Sequence, residues 1–133
     1  MKKVKITQLD KEDKRAALNE IRILASVDHK NVIQYKEAFF DESSGHLCIV
    51  MELADSGDLK SKVEKARELK QFVKEDKIWH IFRQLLEGLQ ALHSAGIVHR
   101  DIKAANVFLS KNGDVKLGDL NVSAIEVESM MQT

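Results

Sequence analysis

This sequence contains no proline, and several other features are scarce. Its 133 residues include one cysteine, and only 5% of them are aromatic. Lysine plus arginine and aspartate plus glutamate number 21 each, so no net charge favours nucleic acid or an anionic membrane. The longest apolar run, Leu47–Met51, is far too short to span a membrane. We therefore expect a cytoplasmic protein, with the nucleus or the cytoskeleton as alternative locations.

The missing proline and the single cysteine each carry a prediction. A complete globular domain averages about 5% proline, which ends helices and shapes loops. Its absence predicts that parts of the domain lie outside these residues. Cys48 lies inside the apolar run, has no second cysteine to pair with, and is expected to act as a small buried apolar residue.

The first part of the chain has the pattern of a small sheet with one helix. Val4 and Ile6 alternate with lysines, as in a short strand. Asp10 is placed to cap a helix that we predict over Lys11–Val27. The inward stripe of this helix is Ala17, Ile21 and Leu24. Glu20 falls on the same stripe, so it requires either a buried cation as partner or exposure to solvent.

Two strand-like runs follow, and then the pattern becomes mainly helical. Val32–Phe40 and His46–Glu52 are joined by a polar loop, which predicts a hairpin. Ser56 marks the boundary between a domain over residues 1–55 and a second over 56–133. The overall order predicts an α+β fold with two small lobes. A short amphipathic helix is predicted from Leu59, Val63 and Ala66.

The longest helix has an apolar face and a clear stop. Gly96 ends it, and the helix is expected to be buried along that face. The face consists of Ile78, Phe82, Leu85, Leu89 and Leu92. Three short apolar runs come next, at Ile97–His99, Val107–Leu109 and Val115–Leu117. Asn112-Gly113 between the last two is typical of a tight hairpin turn.

Between the long helix and this hairpin lies the run His99-Arg100-Asp101-Ile102-Lys103-Ala104-Ala105-Asn106. It matches the pattern H-R-D-x-x-x-x-N, a known catalytic-loop pattern for phosphoryl transfer. A second acid, Asp119, follows the return strand of the hairpin. The spacing and the context together predict a site for phosphoryl transfer to an alcohol.

The chemistry of this transfer explains the residue types. It requires an acceptor for the hydroxyl proton, divalent metal across the phosphates and a cation near the developing charge. Asp101 suits the first task, Asn106 and Asp119 offer oxygen ligands to Mg²⁺, and Lys103 is a cation for the transferred group. His99 is expected to be a packed, hydrogen-bonded residue rather than a base, and Arg100 to anchor a phosphate.

These motifs resemble the protein kinase superfamily, and within it the NIMA-related serine/threonine kinases. The resemblance extends over the whole chain. It is carried by Asn19-Glu20-Ile21, Asn31-Val32-Ile33, Ile49–Glu52, Gly57-Asp58-Leu59, Ile97–Asn106 and Leu117–Asn121. The catalytic loop is also similar to that of the sterile-twenty-like kinases, so the subfamily stays open at this point.

The resemblance implies a two-lobed kinase fold that binds ATP and Mg²⁺ and phosphorylates serine or threonine in proteins. It makes Lys2 the phosphate-binding lysine, Glu20 its ion-pair partner and Met51 the gatekeeper. Lys103, two residues after Asp101, is the pattern of serine/threonine kinases. The remaining nucleotide-binding residues that it implies are Glu52, Ala54, Asp58, Phe108 and Asp119, with Asp119 and Asn106 also binding the metal.

The sequence departs from the kinase pattern in three ways. It contains no glycine-rich phosphate loop, it has no Ala-Pro-Glu-like motif, and Asn121 stands where most kinases have glycine. We therefore expect residues 1–133 alone to be inactive. A kinase-like scaffold without catalytic activity is the alternative. The presence of Lys2, Glu20, Asp101, Asn106 and Asp119 favours the enzyme, because a scaffold has no chemical need for all five.

Overall fold

The computed structural model describes residues 1–6, 10–118 and 120. Its elements are β1 (Lys2–Lys5), α1 (Lys11–Ala25), β2 (Tyr35–Asp41), β3 (His46–Met51), α2 (Leu59–Glu68), α3 (Glu75–Ser94), β4 (Val107–Leu109) and β5 (Val115–Leu117). The described residues group into two compact units. The first comprises Met1–Asp28 and Gln34–Glu52, and the second comprises His29–Ile33 and Leu53–Leu120. The predicted α+β class is confirmed.

The first unit contains an antiparallel sheet in the order β1-β3-β2. Lys2 pairs with Ile49 and Val4 with Leu47, which places β1 along the central strand β3. Leu47, Cys48 and Ile49 are all buried, so the prediction for Cys48 is confirmed. The hairpin between β2 and β3 has the predicted polar loop.

Within that loop, the Asp41 carboxylate accepts hydrogen bonds from the hydroxyls of Ser43 and Ser44, each at 2.6 Å. These two bonds lower the pKa of Asp41 to about 2.

Helix α1 begins where the sequence predicts. The Asp13 amide donates to the Asp10 carboxylate at 2.8 Å, and Ala17, Ile21 and Leu24 are buried. Glu20 is exposed, which is one of the two alternatives that the sequence left open. At about 100° per residue, Glu20 lies roughly 60° from Ala17, at the edge of the stripe.

The strand predicted from Val32 begins only at Tyr35. Val32 instead forms a parallel bridge with Leu117, and the Ile33 amide donates to the Leu117 carbonyl at 2.8 Å. The segment from 29 to 33 therefore packs with the second unit. The apolar run alone does not show whether an extended segment joins the sheet of the first unit or pairs with β5 in the second.

In the second unit, β4 and β5 form the predicted antiparallel hairpin. The connection is longer than a two-residue turn, because the Ser110 amide bonds to the Asp114 carbonyl at 3.0 Å. Gly113, at a φ of 82°, supplies the left-handed backbone within it. Ile97–His99, the first of the three short apolar runs, forms no strand. Among the described residues, no helix is both long and apolar enough to cross a membrane.

Helix α3 buries a face that is rotated from the predicted one and shares only Leu92 with it. Its buried residues are Gln84, Gly88 and Leu92, spaced by four. Ile78 is 53% exposed and Phe82 is 49% exposed, Leu85 and Leu89 are half-buried, and Leu92 alone of the predicted stripe is buried. The predicted stop at Gly96 is confirmed, with a φ of 75° just after the helix.

The buried face of α3 is held by a polar network that involves Asn31. The Asn31 side-chain amide donates to the Gln84 side-chain oxygen and to the Val115 carbonyl, both at 2.8 Å. The same Gln84 oxygen accepts from the Val115 amide at 2.9 Å. A Cβ at Gly88 would lie 2.5 Å from the Asn31 carbonyl oxygen, so only glycine permits this approach. One amide pair thus ties together α3, β5 and the segment before β2.

Gly88→Val should therefore destabilise the second unit. The added side chain pushes α3 away from the Asn31 backbone, and overpacking of this kind costs about 1–3 kcal/mol. Chemical denaturation followed by circular dichroism measures the loss. Gln90→Val, at an exposed position of the same helix, is the matched control and should change stability by less than about 1 kcal/mol. Equal losses in the two variants would contradict the role of Gly88.

Candidate active site

Three of the predicted site residues lie together in the loop before β4. Asp101 Oδ2 is 3.2 Å from Lys103 Nζ and accepts a hydrogen bond from Asn106 Nδ2 at 3.0 Å. Asn106 Nδ2 also donates to the Asp101 carbonyl at 2.8 Å. A single turn of 3₁₀ helix, Ala104–Asn106, brings the asparagine back beside the aspartate. The loop thus orients one carboxylate through an amide and a cation.

The electrostatics of the loop keep Asp101 ionised. The hydrogen bond from Lys103 is the main cause that lowers the pKa of the Asp101 carboxyl, and the hydrogen bond from Asn106 adds to it, while desolvation opposes both. Asp101 is 40% exposed, so solvent reaches the carboxylate. An exposed, ionised and oriented carboxylate has the properties of a proton acceptor.

Lys103→Gln should raise the pKa of Asp101 toward the ordinary value for aspartate. The substitution removes the largest cause of the lowered pKa and leaves the Asn106 bond in place. Because the native pKa is lowered, the ion pair stabilises the fold at neutral pH, and that stabilisation is lost as the pH falls through the titration of Asp101. A ¹³C NMR titration of the Asp101 carboxyl measures the shift.

Lys111→Gln serves as the control for this titration, since Lys111 is an exposed lysine in the β4–β5 loop. It should leave the Asp101 titration unchanged. An unchanged Asp101 pKa in Lys103→Gln would mean that the 3.2 Å contact does not operate in solution.

His99 fixes the backbone of this loop. It is 1% exposed, its Nδ1 accepts from the Asp101 amide at 3.2 Å, and its Nε2 lies 2.8 Å from the Gly118 carbonyl oxygen. Since Nδ1 accepts, we assign the ring proton to Nε2, which donates to Gly118. The prediction that His99 is a packed, hydrogen-bonded residue is confirmed. Arg100 beside it has a φ of 66°, a left-handed conformation that is costly for a side-chain-bearing residue.

Asp58 and Phe108 are also brought together, as partners in an antiparallel bridge. The Asp58 carboxylate caps α2, accepting from the Ser61 amide and hydroxyl, each at 2.8 Å. These bonds lower the pKa of Asp58. A Cβ at Gly118 would lie 2.5 Å from the Phe108 ring, so glycine there makes room for the ring. Asp58 thus has a structural role, and its predicted role toward a nucleotide stays a prediction.

The remaining nucleotide-site predictions fall on separate elements. In the first unit, Lys2 is half-buried on β1, on the same side as the buried Val4, and Met51 is the last residue of β3. The Glu52 amide donates to the Gln34 carbonyl at 2.9 Å. Ala54 is half-buried at the start of the second unit. The roles assigned to these residues stay predictions.

The predicted metal ligands are Asn106 and Asp119. Asp119 and Asn121 lie outside the described residues. Among the described residues, both side-chain hydrogen bonds of Asn106 use its nitrogen, and its side-chain oxygen is the group suited to a hard cation. Oxygen from an amide is an acceptable ligand for Mg²⁺. Asn106, the only one of the two proposed ligands that the structure describes, is therefore suited to Mg²⁺.

Sequence reasoning missed Asn31 and Gln84 as positioning residues. Asn31 is fully buried, and Gln84 is 8% exposed on the inner face of α3. The available signal was the spacing of Gln84, Gly88 and Leu92, which places a polar residue and a glycine in line with a leucine. Through Val115 these residues hold the hairpin whose first strand, β4, follows the loop that carries Asp101.

Comparison with known proteins identifies the family. The model of the protein kinase domain matches residues 1–133, so this chain belongs to the protein kinase family. The predicted kinase-type fold agrees with this match.

Named relatives resemble the chain over most of its length. It is 34% identical over 132 residues to "Probable serine/threonine-protein kinase nek2" of Dictyostelium discoideum, covering 97% of the chain and 32% of the relative. It is 39% identical to mouse "Serine/threonine-protein kinase Nek9", over 92% of the chain and 12% of the relative. It is 41% identical to mouse "Serine/threonine-protein kinase Nek5", over 96% of the chain and 20% of the relative. The resemblance to NIMA-related kinases is confirmed, and the chain spans about a third or less of these relatives.

Proposed function

We propose that these residues form part of an ATP- and Mg²⁺-dependent protein serine/threonine kinase. The observation that carries the proposal is the arrangement of Asp101, ionised, partly exposed and held by Asn106 and Lys103. An aspartate in a loop of this sequence is the residue that accepts the hydroxyl proton in phosphoryl transfer to an alcohol. The relatives are named serine/threonine-protein kinases, which supports the serine/threonine class.

In the proposed reaction, a serine or threonine hydroxyl of a protein attacks the γ-phosphorus of ATP. The new oxygen–phosphorus bond forms as the bond to the ADP oxygen breaks, and the proton goes to Asp101. Asp101 is pre-oriented because Asn106 bonds to both its carboxylate and its carbonyl. Lys103, 57% exposed, is free to turn its ammonium group from Asp101 toward the transferred phosphoryl group.

The nucleotide would be held by the residues that the kinase resemblance implies. Mg²⁺, when bound, neutralises charge between the phosphates. Asn106 offers its side-chain oxygen to the ion, and Asp119 is proposed as the second ligand. We assign the nucleotide contacts to Lys2, Glu20, Met51, Glu52, Ala54, Asp58 and Phe108, on the kinase resemblance. We also propose the cytoplasm as the compartment, which suits the unpaired thiol of Cys48.

A chimera tests the proposal on the chain's own residues. Residues 1–133 replace the matching segment of mouse Nek5, and transfer of radiolabelled phosphate from ATP to a generic serine/threonine substrate is measured. Transfer that requires Mg²⁺ and is lost in Asp119→Ala supports the enzyme. Nucleotide binding without transfer would favour the scaffold alternative. Residues 1–133 alone should show no transfer, because they contain no glycine-rich loop to cover the phosphates.

A further inference from the structure

A groove of about 470 Å³ opens within the second unit, between α2 and the start of α3. Apolar side chains from α2, from the connection after it and from α3 form its walls: Val63, Ala66, Phe72, Val73 and Ile81. Leu109 of β4 closes one side. Concave apolar surfaces of this size are suited to side chains of a bound peptide.

The apolar lining is unusually open to solvent. Phe72 is 99% exposed, Val63 is 40% exposed and Val73 is 39% exposed. Leu69, in the same connection, is 57% exposed. Isolated exposed apolar side chains are ordinary, but several around one concavity mark a surface that binds another molecule.

The rim of the groove is basic. Lys62, Lys74 and Lys77 line it, against one acidic residue, Asp76. In the described part of the chain, none of these three lysines takes part in an ion pair, whereas Lys60, outside the groove on the same helix, pairs with Glu64. The positive charge is therefore available to a ligand. Charge complementarity favours an acidic partner and disfavours a basic one.

We propose that this groove docks an acidic peptide segment of a partner protein. The apolar side chains of the peptide enter between Val63, Phe72 and Ile81. The carboxylates of the peptide contact Lys62, Lys74 and Lys77. The walls come from two helices and a strand, which provides a defined slot rather than a flat face, and this favours a peptide over an anionic membrane. The docking surface contains none of the proposed catalytic residues, so the inference does not depend on phosphoryl transfer.

Fluorescence anisotropy tests the proposal with the 133-residue chain, after circular dichroism has verified its folding. The probe is a fluorescein-labelled peptide of sequence EDLEELFEDL, compared with the peptide KKLKKLFKKL. We expect the acidic peptide to bind and the basic peptide not to bind. Binding should weaken as the ionic strength rises, because exposed charges are screened.

Charge reversal at the rim provides the decisive comparison. The double variant Lys62→Glu/Lys77→Glu should weaken binding of the acidic peptide about tenfold or more and gain affinity for the basic peptide. Phe72→Ser removes apolar contact without disturbing the core, and it should also weaken binding of the acidic peptide. Lys65→Glu is the matched control, since Lys65 is an exposed lysine of α2 that does not line the groove. It should leave the affinity nearly unchanged.

Four outcomes would overturn the proposal. The first is failure of the acidic peptide to bind the folded chain, and the second is equal binding of the two peptides. The third is an equal loss in Lys65→Glu and in the double rim variant. The fourth is evidence that the groove binds something other than an acidic peptide. Either the chain binds phosphatidylserine vesicles and the peptide does not displace them, or the chain self-associates in sedimentation and Phe72→Ser abolishes the self-association.

Discussion

Asp101→Asn in the chimera should lower kcat by about 10²- to 10⁴-fold, the usual contribution of a positioned proton acceptor. The asparagine oxygen can still accept from Asn106, whose side-chain nitrogen lies 3.0 Å from Asp101 Oδ2, so the loop should keep its shape. The lost feature is the negative charge that accepts the hydroxyl proton. Binding of a fluorescent ATP analogue should therefore remain unchanged while turnover collapses.

Asp114→Asn is the matched control, an aspartate to asparagine change in the β4–β5 loop whose backbone carbonyl accepts from Ser110. It should retain nearly full turnover. Weakened nucleotide binding with normal turnover in Asp101→Asn would remove Asp101 from the role of proton acceptor. It would indicate that the carboxylate instead supports the nucleotide site.

Features set by neighbouring residues were predictable from the sequence. The cap at Asp10, the buried stripe of α1 and the stop at Gly96 depend on side chains within one or two helical turns. The hairpin of β4 and β5 likewise depends on two short apolar runs and a turn between them. In each case the local chemistry and the tertiary packing favour the same conformation, and the prediction agrees with the structure except in the length of the β4–β5 connection.

The buried face of α3 could not be predicted in this way. Apolar periodicity favours the stripe through Ile78 and Phe82, yet the helix buries Gln84 and Gly88. That choice depends on a contact distant in sequence, where Asn31 donates to Gln84 and its backbone approaches Gly88 closely. A buried amide pair is stabilising only when both partners are present, which the spacing within one helix does not reveal.

In the candidate site, too, the features set by neighbouring residues were predictable and those set by distant residues were not. The motif predicted that Asp101, Lys103 and Asn106 belong together, because the spacing within one loop determines their proximity. The sequence predicted that His99 is packed and hydrogen-bonded, but it did not predict the partners of His99, which are the Asp101 amide and the Gly118 carbonyl. Nor did it predict the left-handed backbone of Arg100, which the surrounding hydrogen bonds hold in place.

Lys2→Met and Glu20→Gln in the chimera should each lower kcat/KM for ATP about a hundredfold, and the double variant should be far from additive. The kinase resemblance pairs these two residues. Lys2 is half-buried on the side of β1 that carries Val4 and Ile6, while Glu20 is exposed at the edge of the α1 stripe. A pair with one partner exposed adds little to stability, at most about 1 kcal/mol. The loss should therefore appear in turnover and not in the unfolding transition.

The double-mutant cycle separates pairing from two independent effects. If the Glu20 carboxylate acts by holding Lys2 in place, adding Glu20→Gln to the Lys2→Met variant should lower kcat/KM almost no further. Lys3→Met is the control on the same strand, because Lys3 is exposed on the opposite side of β1. It should leave kcat/KM close to that of the parent chimera. Fully additive losses, or a comparable loss in Lys3→Met, would contradict the pairing and leave Lys2 without its proposed partner.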